Sequence, residues 1–392
     1  IPVMVGSNFC NLTTQNKIEH EECENDHGGY FVIKGKERVL VGQLRTVYNR
    51  VFVYPAKSDE KFQYVAELRS INVQGTSVLI QAKIDKKSKM WVSLNYIKTL
   101  IPAGLIFKAL NVSEADMYEF TRLSRNGELA EGLKIQYDEY ETENDTLRYI
   151  ADNVSSDHDS DYIKTILGNE IFYHIGKLNN RSSAIHIGYI LKRLADTFIG
   201  NVAVDNKDSN ISNRRLDTVH SLLGYIFQGL FKQFIKTIAK NIDANTNPIP
   251  INIIKSTSII TCGLNTCFMT GNWSTQKSAS SAYVRQGVSQ VLSVQNYGAR
   301  LSHLRRIAVA SGAKCRKTTA RQLYASHFGY ICPYETPEGE TVGLVENLAL
   351  STEITEDIHS SEVFAVVSKF TSFREEIKYK TEETSPTGVY EI

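Results

Sequence analysis

Between Ala244 and Tyr334 the sequence has no aspartate and no glutamate, although the 392-residue chain carries 43 acids against 44 lysines and arginines. Into this acid-free stretch fall Lys255, Lys277, Arg285, Arg300, Arg305, Arg306, Lys314, Arg316, Lys317 and Arg321. A contiguous block of one sign in a balanced chain is an electrostatic footprint for a polyanion, nucleic-acid phosphates foremost. The alternative is a solvated basic face, or one paired with acids from elsewhere in the chain. Other absences narrow the class. No apolar run reaches membrane-spanning length and no signal-peptide pattern is visible, so a soluble intracellular protein without membrane partners is expected. The six cysteines, Cys10, Cys23, Cys262, Cys267, Cys315 and Cys332, lack paired CxxC spacing and read as reduced, mostly buried thiols. Cys10, Cys23 and His27 have no convincing fourth zinc ligand. No P-loop, GxGxxG or HExxH text occurs. The chain starts at Ile1 in what reads as mid-strand text, which points to a piece of a longer polypeptide.

The length allows two or three domains, and the text mixes helix and strand signals, so the expected class is a multidomain α+β fold. Residues 1–63 read as a small β-rich piece, with GGYFVIKGKERVLVGQ (Gly28–Gln43) alternating on either side of a turn at Gly35. Residues 64–251 change character. SVLIQAKI and MWVSLNYI read as strands joined by a charged DKKSK turn, and SEADMYEFTRL as a helix with Ser113 as N-cap and Asp116 in its first turn. Two longer helices follow at Ser183–Phe198 and Asp217–Asn241. In the second, Leu222, Leu223, Ile226, Leu230, Phe231, Phe234, Ile235 and Ile238 form a stripe expected to face a core. The carboxylates of the acidic segment between Ser124 and Arg181 lack EF-hand spacing and read as a solvated outer face.

The stretch Gly287–Leu350 shows no helix-face repeat, and IAVASGAKCRKTTARQ within it reads as a loop of small and cationic residues. Its tail, ETPEGETVG, sets Pro337, Gly339 and Gly343 around Glu335 and Glu338, a spelling that fixes turns. Arg305 and Arg306 are adjacent and point in different directions on any regular element. One can meet a phosphate while the other pairs with a carboxylate, or both can be structural and bridge to Glu335 or Glu338. Gln290 can donate and accept, which suits a base or sugar contact or the capping of a turn. His303 and His327 have no nucleophile and supporting acid beside them, and read as structural histidines. Trp273, beside a Gly-Asn turn, reads as a packing anchor.

GLNTCFMTGNW (Gly263–Trp273), GVSQVL (Gly287–Leu292), LSHLRR (Leu301–Arg306), RQLYASHFG (Arg321–Gly329) and CPYETPEGETVGLVENLAL (Cys332–Leu350) together resemble the second-largest subunit of multisubunit DNA-directed RNA polymerases, in its eukaryotic and large-DNA-virus form. GGYF-x-I-x-G-x-E-x-V-L and RRLDTVHSLLGYIFQGLFKQFIK add to the likeness, which is thinner between them. The resemblance implies the protrusion at 1–63, the lobe at 64–251, a return of the protrusion at 252–296, and the fork with the start of the following region at 297–392. It implies one wall of the DNA cleft, with fork contacts to nucleic acid or the active centre from Gln290, Arg305, Arg306, Arg321 and Glu338. It implies no catalytic residue or metal ligand in this chain. The Mg²⁺ of the whole enzyme would be held mainly by the largest subunit, and the piece alone would be inactive. Partners would be template DNA, the RNA–DNA hybrid, the largest and other polymerase subunits and transcription factors, in a nucleus or a cytoplasmic viral factory or virion. Val5-Gly6-Ser7 and the fork loop Ser311–Cys315 depart from the usual nuclear wording and point to a viral or divergent member. The reading from another class is a free-standing module that binds nucleic acid or transcription factors without catalysis.

Overall fold

The computed structural model describes residues 1–12, 17–56, 61–71, 77–94, 97, 99–125, 127–152, 163–164, 166–167, 171–172, 174, 180–207, 209–244, 258–274, 285–309, 318–355 and 360–369. Helices and three sheets make up a mixed α+β fold. The backbone divides into two compact units: Ile1–Thr46 with Asp208–Glu353, and Val47–Lys207 with Ile354–Ile392. Among the described residues no helix is long and apolar enough to cross a membrane.

In the first unit, β1 (Phe31–Ile33) and β2 (Lys36–Leu40) form the expected hairpin, with Lys34 and Gly35 at φ 49° and 74°. Positive φ at both turn residues matches the twist of the flanking strands, and Gly35 supplies one of them without strain. β10 (Ser289–Val291) adds to β2, pairing Gln290 with Val39. A second sheet runs β12 (Val345–Asn347), β11 (Arg306–Val309), β3 (Gly42–Thr46), β9 (Arg214–Asp217). Its β11–β3 pair is parallel and the others antiparallel. Three sequence-distant segments therefore share one sheet.

The unit's main core joins Phe31 and Leu40 to Leu222, Ile226 and Leu230 of α6 (Val219–Ala244) and to Leu264 and Phe268 of α7 (Ser258–Thr270). Trp273 is the anchor expected of it. It is buried, donates its indole N–H to Leu222 O at 2.8 Å and meets Phe268 edge-on. The α6 stripe faces the core only in part. Leu222, Ile226 and Leu230 are buried, whereas Phe231 and Ile235 are exposed. The helix runs about 20 Å past Leu230 at 1.5 Å per residue, beyond its packing partners among the described residues.

The second unit is one sheet, β4 (Val51–Pro55) to β8 (Ile101–Pro102), in sequence order. β6 (Ser77–Asp85) and β7 (Met90–Ser93) are the two expected strands, and Asp85 ties their turn by accepting from the Lys87 and Lys89 amides. Their inward Val78, Ile80, Ala82 and Ile84 pack with α1 (Ala103–Ala109) and α5 (Asn180–Ile199). α2 (Glu114–Thr121) begins at the expected cap, Ser113, whose hydroxyl accepts from the Asp116 amide at 3.2 Å. In the acidic segment, α3 (Glu128–Tyr137) and α4 (Glu143–Asp152) bury Leu129, Leu133, Leu147 and Ile150.

Candidate functional site

The stretch read as having no helix-face repeat contains α8 (Tyr297–Leu304), capped by the Asn296 side chain on the Ala299 amide at 2.7 Å. A helix this short leaves too few turns for a periodic signal to emerge from its sequence. The run read as a loop likewise begins as strand, because Ile307 is buried between β3 and β12 and Val309 donates to Leu344 O. Residues 310–317, in the stretch read as a fork loop, lie outside the described residues, as do Lys255, Lys277, Lys314, Arg316 and Lys317.

The C-terminus of α8 organises the site. His303 is buried; its Nδ1 accepts from the Ser293 amide at 3.1 Å, which leaves Nε2 to donate to Gln290 Oε1 at 3.0 Å. Burial, with the charge of Arg306 adding to it, pushes the His303 pKa down, so the imidazole is held neutral in one tautomer. Gln290 donates its amide to Gly287 O at 3.0 Å, so it braces a turn and a histidine. At the preceding position, Ser302 donates to Glu335 and its hydroxyl oxygen accepts from Asn347 at 3.3 Å, tying the ETPEG turn to helix and strand.

The cations of the acid-free block divide sharply. Arg285 pairs with Asp217 at 2.8 Å, and Asp217 also accepts from Arg45 at 2.8 Å. Arg300 reaches Asp26 at 3.1 Å and lies 4.9 Å over the Tyr30 ring. Arg305 donates to Ala349 O at 2.5 Å. Arg321 donates to Glu340 O and Val342 O at 2.7 and 2.9 Å, clasping the ETPEGETVG turn. Neither Arg305 nor Arg306 bridges to Glu335 or Glu338. Arg306 starts β11 opposite Asn347, half-buried, with no ion pair among the described residues, and Glu338 is exposed at the turn.

Sequence reasoning missed Ser302, Asn347 and Glu346. Glu346 is buried, and burial pushes its pKa up to about 7 against the pull of Arg214. Its only trace in the sequence is a lone acid inside the apolar run VGLVENLAL. His327 is buried, and burial together with Arg214 lowers its pKa. Among the described residues no three His, Cys, Asp or Glu side chains converge as metal ligands. Among the described residues the geometry therefore holds backbone and side chains in place around the half-buried Arg306 and the exposed Glu338. It offers contact and positioning, and among the described residues it assembles no nucleophile with a base.

Two family models match the chain. One, described as RNA polymerase beta subunit, covers residues 1–259, and the other, described as RNA polymerase Rpb2, domain 3, covers residues 290–354. An RPB2 homolog of DNA-directed RNA polymerase II from Frog virus 3 (isolate Goorha) is 36% identical, over 89% of this chain and 31% of the relative. DNA-directed RNA polymerase II subunit 2 of Arabidopsis thaliana is 32% identical, over 91% of this chain and 32% of its own length. An RPB2 homolog from Invertebrate iridescent virus 6 is 29% identical, over 91% and 34% respectively. The chain thus spans about a third of the length of the curated relatives it matches.

Proposed function

We propose, because the chain belongs to the RNA polymerase beta (Rpb2) subunit family, that it forms part of the second-largest subunit of a DNA-directed RNA polymerase. In this reading it lines one wall of the DNA cleft and contributes the fork near the active centre. The protrusion is assigned to residues 1–63 with 252–296, the lobe to 64–251, and the fork with the start of the following region to 297–392. Its partners are template DNA, the RNA–DNA hybrid, the largest and other polymerase subunits and transcription factors, in a nucleus or a viral factory. In the same reading the Mg²⁺ of the whole enzyme is held mainly by the largest subunit, and the residues of this chain are assigned contact and positioning.

The observation that supports a fork contact is the contrast among the cations. Arg285, Arg300, Arg305 and Arg321 are consumed by internal partners, whereas Arg306, beside the capped helix end, has no ion pair among the described residues. A fixed charge on a braced element can position a phosphate or a reacting strand, and a displacement of about 1 Å can cost on the order of a hundredfold in rate. Arg306→Ala and Glu338→Ala in the assembled polymerase should leave assembly and promoter binding intact while changing elongation rate or misincorporation. Arg321→Ala should instead lower stability by loosening the turn. Normal rate and fidelity in both Arg306→Ala and Glu338→Ala would remove those residues from the site.

A further inference from the structure

Arg300 lies in the middle of α8, yet its carboxylate partner, Asp26, stands 274 residues earlier, in the loop that leads into β1. Three residues along one side of α8 meet that loop. The Tyr297 hydroxyl is hydrogen-bonded to His27 Nε2 at 2.7 Å. Arg300 donates to Asp26 Oδ2 at 3.1 Å and lies 4.9 Å over the Tyr30 ring. Leu304 packs on the buried cluster of Tyr30, Val39 and Leu292, and a Cβ on Gly29 would lie 3.6 Å from its Cδ2. Positions i, i+3 and i+7 share one face of a helix, so residues 26–30 grip α8 from its first turn to its last.

The loop is itself fixed. Asp26 Oδ1 accepts from the Gly28 amide at 3.0 Å and Oδ2 from the Tyr30 hydroxyl at 2.6 Å, while Lys17 donates to Asp26 O at 2.7 Å. Burial opposes the charge on Asp26, but the Tyr30 hydroxyl, the Gly28 amide and Arg300 outweigh it and hold the carboxyl below its ordinary range. The rest of the helix surface carries Ser302 on Glu335 and His303 on Gln290, and the cap at Arg305 leads straight into Arg306. Leu304 alone would hold α8 against the sheet and leave it free to slide and turn. A directional, charge-assisted pair at the middle of the helix prevents both. We propose that Asp26, Tyr30 and Arg300 are positioning residues: residues 26–30 clamp α8 and thereby set where Arg306 stands toward the reacting strand, a role that rests on the polymerase reading.

The test is single-nucleotide addition by the assembled polymerase, with kcat and KM for the nucleotide measured separately. Arg300→Met should lower kcat about tenfold and leave KM little changed, the mark of an interaction that counts in the transition state. Asp26→Asn, which keeps the shape of the side chain, should lower kcat about threefold. Arg300→Lys should keep most of the parent rate, because an ammonium still reaches Asp26. Since the clamp acts through Arg306, Arg300→Met combined with Arg306→Ala should be no slower than Arg306→Ala alone. A multiplied defect in the double variant would overturn the clamp and leave the reading of Arg306 standing. Normal rate and fidelity in Arg306→Ala would overturn that reading and the clamp with it. Unchanged kcat in both Arg300→Met and Asp26→Asn would also overturn the clamp, as would a defect seen only as lost assembly or a lower melting temperature.

Discussion

Glu346 holds its carboxyl inside the first unit with Oε2 unpaired, and burial raises its pKa from 4.5 to about 7, with Arg214 opposing. Between those values the folded chain keeps a proton that the unfolded chain releases, so this group makes stability fall as pH rises through the window. The histidines act in the opposite sense. Burial, with His186 adding to it, drives His174 from 6.5 down to about 4, and burial also lowers His303 and His327. Below 6.5 the unfolded chain takes up protons that these folded histidines refuse, so their stabilisation is lost on acidification. Glu346→Gln should therefore gain about 2–4 kcal/mol near pH 8 and close to nothing near pH 4, leaving the acid-side slope intact. Urea unfolding across that range checks it, and a variant no more stable than the parent at high pH would show that Glu346 is not held neutral by its surroundings. At this scale the sequence was legible where a residue carries its own signal. Trp273 beside a turn was such a case, and so were two histidines lacking a catalytic partner. It was silent where the meaning lies in a partner far along the chain, as for Arg214 and Glu346, or Asp217 between Arg45 and Arg285.

Helices show how packing, and not periodicity alone, decides burial. The hydrophobic spacing of α6 reads the same on both sides of Leu230, but only the first half meets α7. The second half carries core-like text but joins no core cluster among the described residues, because a periodic pattern states which face is apolar and not what covers it. The hairpin at Gly35 and the Ser113 cap were readable because turn and cap chemistry is local, whereas the register that brings β3 beside β9 and β11 is not. Two glycines turn this difference into a measurement. A Cβ at Gly188 in α5 would lie 2.7 Å from Phe120 Cβ and 2.9 Å from its backbone, so α2 and α5 approach through that gap. Gly188→Ala should cost about 1–3 kcal/mol net of any gain in helix propensity. Gly224 in α6 has no atom within 4 Å of an added Cβ, and Gly224→Ala should stabilise by up to about 1 kcal/mol. Paired thermal melts test both, and equal shifts would show that the close contact does not constrain α5.

On the scale of the whole chain, residues 47–207 form an excursion between two neighbouring strands, since Thr46 at the end of β3 pairs directly with Arg214 at the start of β9. Replacing 47–207 with a short Gly/Ser linker should leave the first unit able to fold, because the ends it must bridge are already adjacent in the sheet. A cooperative thermal transition and resistance to limited proteolysis would confirm this, and a molten product would show that the first unit needs the second. The family was plain in the order of the motifs between Gly263 and Leu350, but no local pattern could show that β3 closes against strands more than a hundred residues away. That arrangement sets a timetable for synthesis. At about 5–20 residues per second a nascent β3 leaves the ribosome about ten to thirty seconds before β9 can pair with it, and β11 emerges later still. Until then both its edges are open to any passing strand, while the excursion that follows it already has all five strands of its own sheet and can collapse first. Of the two units, the one whose translation begins earlier is therefore completed later, and its vulnerable interval is set by the speed of the ribosome.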